Sequence, residues 1–301
     1  MMSKVQIVEV GPRDGFQSVG PFIPTETKID LLQSIFSAGI RRVEATSFVS
    51  KSAVPQLADA EAILLAANQL QGLDAQVLIP TERQAVRAID AGAMHLSFVL
   101  SVSDSHNYSN VRRSTSESIE EYAAIMRMMP VGARMRLNIA TAFDCPYDGR
   151  VDEEVTTSVL KRILLAPLPN EIALCDTTGR VTPDHVSTLF EKCQRLFPEI
   201  DDWAFHAHDT YGLGTANTLA AWNAGVKIFD ASVAGLGGCP FAPGATGNVA
   251  TEDLVWMFEG MGVSTGIDFQ SLLTVAHRVA ALDGAQTGGR VRDAMSATCL
   301  L

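Results

Sequence analysis

The chain has 301 residues, 47% of them hydrophobic and 19% charged, which suits one large domain or two small ones around a sizeable buried core. A formal net charge of −11 argues against a nucleic-acid partner and against attraction to anionic membranes, and an anionic small molecule would need local cations or a metal. Five cysteines (Cys145, Cys175, Cys193, Cys239 and Cys299) with no CxxC pair exclude a disulfide scaffold and a zinc finger, and fit a reducing compartment.

The opening "MMSKVQIVEVGPRDG" enters a strand-like run at once, without a signal or transit pattern, and no apolar run is long enough to span a bilayer. We expect a cytoplasmic protein. In chain order, β-rich runs occur at 5–10, 42–48, 76–80, 95–100, 135–141, 171–177, 203–209 and 228–235. Most are close to continuously apolar, as strands covered on both faces should be. Helical patterns lie between them. The stretch 24–39, "PTETKIDLLQSIFSAG", has Thr25 as the expected N-cap, Ile29, Leu31, Leu32, Ile35 and Phe36 at helical spacing, and Gly39 as a stop. "TERQAVRAIDAG", "SESIEEYAAIMRMM", "DEEVTTSVLKRILLA", "TPDHVSTLFEKCQRLF" and "GTANTLAAWNAG" read the same way. Repeated strand–helix alternation over this length predicts an α/β fold, a (β/α)8 TIM barrel. A doubly wound open sheet is the alternative. No linker divides the chain, so residues 1–301 are expected to form a single catalytic barrel domain. The tail from about 267 to 301 would be a C-terminal helical cap.

A barrel places its functional residues at the C-terminal ends of the strands. Arg13 and Asp14 follow the first run, Glu44 lies in the second, and Asp176 ends the sixth. His206 and His208 end the seventh, and "AGLGGCPFAPGATGN", with Cys239 and Asn248, follows the eighth. His206 and His208 are two apart, so on a strand both imidazoles project from one face. Each signal also has an ordinary structural reading. "GPRDG" is a good turn, Glu44 could be a salt-bridged strand carboxylate, "CDTTG" could cap a helix, and Cys239 could be inert. Their convergence on one barrel mouth is harder to attribute to packing. Asp14, His206, His208 and Asn248 offer the mixed oxygen and nitrogen ligands that suit Mg, Mn, Fe, Co or Zn, with open positions for a bidentate substrate. Asp209 points to the opposite strand face and is expected to orient neighbours.

"VEVGPRDGFQ", "VEATSFVS", "VPQLAD", "DTTG", "HAHDTYG" and "SVAGLGGCPFAPGATGNVATEDLVWMFEGMG" together resemble the 3-hydroxy-3-methylglutaryl-CoA lyase family, part of the metal-dependent lyase and Claisen-condensing barrels. The match spans nearly the whole chain. The resemblance implies that Asp14, His206, His208 and Asn248 hold a divalent metal, Mg or Mn above all. It implies that Arg13 stabilises the enolate oxygen, that Glu44 lies near the metal and that Asp176 helps to move protons. Cys239 would sit in a mobile loop, with His206 also in the catalytic set and Arg13, Asn138 and Thr177 touching substrate. It implies retro-Claisen cleavage of 3-hydroxy-3-methylglutaryl-CoA to acetoacetate and acetyl-CoA, as in leucine degradation and ketone-body metabolism. The partners would be an acyl-CoA and other copies of the chain, in a homodimer or higher homo-oligomer. The sequence departs from the family at the pocket. Asn138 and Ala140 stand where the lyase carries tyrosine and serine, Ala207 and Gly214 replace cysteine and alanine, and no lysine follows Gln17. A lyase for a related 3-hydroxyacyl-CoA such as citramalyl-CoA is therefore the second reading. A condensing synthase on the same barrel is a third, against which stand the "GGCP" loop and the lack of a long C-terminal regulatory region. Arg112 and Arg113 could meet the CoA phosphates or merely start a solvated helix. No role is assigned to Cys299.

Overall fold

The computed structural model describes residues 4–238 and 247–298, so Cys239 and Cys299 lie outside the described residues. The barrel strands are β1 (Gln6–Glu9), β2 (Arg42–Ser47), β3 (Asp74–Leu78), β4 (His95–Ser101), β5 (Arg134–Ala140), β8 (Glu171–Asp176), β9 (Asp202–Ala207) and β10 (Ile228–Ala231). They close in the order β1-β10-β9-β8-β5-β4-β3-β2 with parallel pairing throughout. The short strands β6 (Asp144–Cys145) and β7 (Gly149–Arg150) form a separate antiparallel hairpin after β5. The fold is the eight-stranded α/β barrel that the alternation predicted, and each predicted run supplies one barrel strand. Among the described residues no helix is long and apolar enough to cross a membrane.

The helices differ from expectation in four places. The helix Thr25–Ser37 begins one residue before its expected start, with Pro24 at the cap position. Thr25 does not cap it, because its Oγ1 donates to Asp59 Oδ2 at 2.9 Å. The helices Ala60–Asn68, Asp104–Val111 and Thr251–Gly260 were not anticipated. The first is apolar along most of its length and shows little periodicity; the second is short and polar. The tail contains the helices Phe269–Ala280 and Val291–Thr298. The segment between them and the first turn of the second helix reach the loop that leaves β10, where Gly288 N and Arg292 Nη1 both donate to the Ala234 carbonyl.

Period-two alternation divides the barrel wall. Residues facing outward, among them Leu137, Ile139, Ile172, Leu174, Phe205 and Phe229, join the large cluster under the helices. Phe205 meets Phe143 and Phe190 edge-on at centroid distances of 5.8 and 5.7 Å. The inward side is far more polar than the branched aliphatic filling usual for such barrels. Only a small apolar cluster, including Val8, Ala173 and Ala204, occupies it. Toward the N-terminal end of the strands, where Arg42 and Glu171 each open their strand, an ion-paired chain crosses the lumen. Arg42 Nη1 lies 2.7 Å from Glu171 Oε2, and Arg136 Nη1 lies 3.0 Å from Glu171 Oε1.

Glu9 is fully buried and ties β1 to the segment after β10. Gly11 N and Val233 N donate to Oε1 at 2.8 and 2.9 Å, and Thr251 Oγ1 bonds Oε2 at 2.6 Å. Burial raises its pKa to about 8 against these hydrogen bonds. The folded protein therefore holds a proton that the unfolded chain releases near pH 4.5. Between those values the native state binds more protons than the unfolded state, so stability falls as pH rises, by up to about 1.4 kcal/mol per pH unit for this one group. Glu9→Gln mimics the protonated form. We expect its thermal midpoint to match wild type at pH 5 and to exceed it at pH 8. Parallel Tm-against-pH curves for the two proteins would refute the assignment.

Candidate active site

The turn Gly11–Gly15 folds directly out of β1, with the amides of Arg13, Asp14 and Gly15 converging on the Val10 carbonyl. This local winding sets two neighbouring charges side by side. Arg13 Nη1 lies 2.6 Å from Asp14 Oδ1, while Nε donates to Glu44 Oε2 at 2.5 Å and Nη2 pairs with the same oxygen. Gln17 Nε2 donates to Asp14 Oδ1 at 3.0 Å. Glu44 thus locks the Arg13 fork from β2.

β9 ends at Ala207, so His206 is the last inward strand residue and His208 lies just beyond the strand. An isolated antiparallel bridge to Asn248 continues the pairing there. The two imidazoles stand side by side, ring centroids 5.1 Å apart. Ligand atoms from Asp14, His206 and His208 all lie within 4.8 Å of one another. Asn248 joins them, donating from Nδ2 to Asp14 Oδ2 at 2.7 Å, and its Oδ1 is buried without a hydrogen-bond partner. Gly237, at φ 137°, lets this amide approach, since a Cβ there would stand 2.5 Å from Asn248 Nδ2. A hard carboxylate, two imidazoles and a spare amide oxygen fit a divalent cation.

The electrostatics match. Burial works to raise the Asp14 pKa, but Arg13, both histidines and the Asn248 amide outweigh it and hold the carboxyl below its ordinary range. Burial, then the neighbouring His206, push His208 down to about 4, so its imidazole is neutral near pH 7. Burial also acts to lower His206, but the Asp230 hydrogen bond and charge, with Asp14, leave it raised.

These groups open into a cavity of about 1080 Å³ at the C-terminal end of the barrel. Arg13, Asp14, Glu44, Asn138, Ala140, Thr177, His206 and His208 line it. Asn138 accepts from Arg136 Nε at 2.9 Å and donates to Ser97 Oγ at 2.7 Å, so both ends of its amide are committed to the protein. Thr177 Oγ1 accepts from Thr141 N. Asp176 differs from the expectation of a proton-transfer group in the pocket. Cys175 and Thr177 line the cavity, and alternation turns Asp176 away, where its Oδ1 accepts from Gly179 N at 2.9 Å. Burial raises its pKa to about 7. Asp209, on the face away from the two histidines, accepts from Gly214 N at 2.7 Å, in keeping with an orienting role. Arg112 and Arg113 separate. Arg113 lines the cavity and donates to the Pro80 carbonyl at 3.1 Å, whereas Arg112 ends the preceding helix in a left-handed conformation and is exposed. Cys239 follows Gly238, itself a cavity residue, but is outside the described residues.

Sequence reading missed Gln76, Arg136, Glu171 and Asp230, all buried inside the barrel. A signal existed. Arg136 and Asn138 share the i, i+2 spacing that singled out the histidines, and Asp230 interrupts an apolar strand.

Comparison with known proteins gives the same direction. The family profile HMGL-like matches residues 4–279. The chain is 38% identical to hydroxymethylglutaryl-CoA lyase, mitochondrial, of Mus musculus, over 99% of this chain and 90% of that one. It is 36% identical to the hydroxymethylglutaryl-CoA lyase of Pseudomonas mevalonii, over 98% of each. Among solved structures, an HMG-CoA lyase from Acinetobacter baumannii in complex with coenzyme A and 3-methylmalate superposes with a TM-score of 0.90 at 37% identity, covering 97% of this chain and 95% of that one. The Bacillus subtilis HMG-CoA lyase gives 0.92 at 34% identity, covering 98% of each. The chain belongs to the HMGL-like family.

Proposed function

We propose that this protein cleaves 3-hydroxy-3-methylglutaryl-CoA to acetoacetate and acetyl-CoA, at a divalent cation held by Asp14, His206, His208 and Asn248. The observation that carries the reading is the convergence of those ligand atoms beside a locked guanidinium in one cavity. Relatives that carry the lyase name, alike over nearly their whole length, support it. Bound there, a divalent cation supplies a Lewis acid that lowers the pKa of the substrate's 3-hydroxyl. The C2–C3 bond would then break as the hydroxyl proton passes to water in the open cavity. C3 becomes the ketone of acetoacetate, and the electron pair passes to C2 and the thioester oxygen. Arg13, fixed by Glu44, meets the charge on that oxygen as it develops. The enolate takes a proton from an acid placed against it at the mouth, a thiol such as Cys239 or an imidazole. Asp176 is set to hold the turn beside Thr177 rather than to exchange protons with substrate. The test is release of acetoacetate and acetyl-CoA by metal-loaded protein; no cleavage of any 3-hydroxyacyl-CoA refutes the lyase.

A second acyl group has its own support. The A. baumannii lyase holds 3-methylmalate, a different hydroxy acid, and Asn138 and Ala140 make this pocket wall smaller or less polar than expected of the lyase. Each end of the Asn138 amide already makes one bond to the protein, so the group is fixed in orientation and keeps one N–H and one lone pair for the acyl group. Ala140→Ser changes the wall without breaking that pairing. We expect it to shift the kcat/KM ratio between 3-hydroxy-3-methylglutaryl-CoA and citramalyl-CoA by about 10-fold or more, since a changed pocket contact is worth ~1–3 kcal/mol. An unchanged ratio would remove β5 from the choice.

A further inference from the structure

Asp230 occupies the inward face of β10, in the run Ile228–Ala231, and is buried. Its Oδ2 accepts two hydrogen bonds, from His206 Nδ1 at 3.0 Å and from Arg136 Nη2 at 2.6 Å. Arg136 cannot swing freely. Its Nε donates to Asn138 Oδ1, and its Nη1 faces Glu171, which Arg42 holds from the far side. The line from Arg42 through Glu171, Arg136 and Asp230 to His206 crosses the barrel.

An imidazole has two ring nitrogens, and the partner of one decides what the other offers. A carboxylate can only accept, so Nδ1 must carry the hydrogen, leaving the Nε2 lone pair as the coordinating atom. The paired charges of Arg136 and Asp230 let the carboxylate stay ionised at this depth. We propose that Asp230, clamped by Arg136, is a positioning residue that fixes the tautomer and ring orientation of His206 and so presents its Nε2 to Asp14 and His208. The proposal rests on the metal reading of that cluster, and its test separates the two.

The experiment uses full-length protein with 15N-labelled histidine, wild type against Asp230→Ala, Asp230→Asn and Arg136→Lys. The tautomer of His206 is read by NMR in metal-free protein above the imidazole titration. Mn2+ affinity is then measured by calorimetry without substrate. Wild type should show the Nδ1–H tautomer; Asp230→Ala should lose it and bind Mn2+ about 10–100-fold more weakly, as removal of such an outer partner does elsewhere. Arg136→Lys keeps the charge but loses the fork, and should fall between them. If Asp230→Ala fails to fold, Asp230→Asn keeps the volume, and its neutral oxygen, shared between two donors, should still cost about tenfold in Mn2+ affinity. A purely structural role would lower thermal stability and leave both readouts at wild-type values, and that result overturns the proposal. Wild-type protein that takes up no Mn2+ but keeps the Nδ1–H tautomer overturns the metal reading and leaves the positioning role supported.

Discussion

Arg13→Met should lower kcat for thioester cleavage by about 10²–10³-fold, the loss seen when one donor to a developing oxyanion is removed. The guanidinium lies between Glu44 and Asp14 and is among the residues lining the cavity. It is held before substrate arrives, so it reorganises little as charge appears. Its removal has an opposite effect on the metal site. Arg13 is a cation against Asp14, and a divalent ion at that carboxylate must bind despite it. Arg13→Met should therefore bind Mn2+ at least as tightly as wild type while turnover collapses. Arg13→Lys keeps the charge but cannot bridge both carboxylates, and should recover only part of the rate. The measurement is kcat at saturating metal beside Mn2+ affinity from calorimetry. A fall in both together would make Arg13 a scaffold for Asp14 and remove it from the chemistry.

His206→Ala should give the contrasting pattern. Removal of a ligand weakens Mn2+ binding by more than about 100-fold, beyond the effect of an outer partner, and activity falls with it until metal is added in excess. Chelation of wild type should abolish cleavage, and Mg or Mn should restore it. The pH dependence follows from the two imidazoles. His208 sits at about 4 and stays neutral above pH 5, so it does not limit binding. His206 is raised above its ordinary value of 6.5 in the metal-free protein, and a cation must displace its proton. Below that raised pKa, apparent affinity should fall by about tenfold per pH unit; above it the affinity should level off. The slope should disappear in His206→Ala. A wild-type affinity independent of pH from 5 to 8 would place the metal away from His206, and full turnover by chelated protein would remove the metal from the mechanism.

Local chemistry made much of this protein legible in its residues. The eight apolar runs and their intervening helical patterns narrow the fold to a closed barrel or a doubly wound sheet, because strands covered on both faces and helices with one apolar stripe have few ways to bury both, and the closed strand order decides for the barrel. The spacing of His206 and His208 puts two rings on one face, whatever the rest of the chain does. Arg13 and Asp14 are adjacent in sequence, and a single turn brings them into contact. The tertiary structure decided what distance along the chain conceals. Asn248 meets Asp14 across 234 positions and Arg136 meets Asp230 across 94, and no periodicity encodes such pairs. Alternation could have set the side of Asp176, but the family resemblance drew it toward the pocket, whereas the backbone amide of Gly179 holds it in the turn. The same holds for the barrel interior. Each strand looks apolar by itself because its outward face is, and the ion pairs of Arg42, Glu171, Arg136 and Asp230 become visible only when closure brings their inward faces together, where burial makes an unpaired charge too costly to leave without a partner.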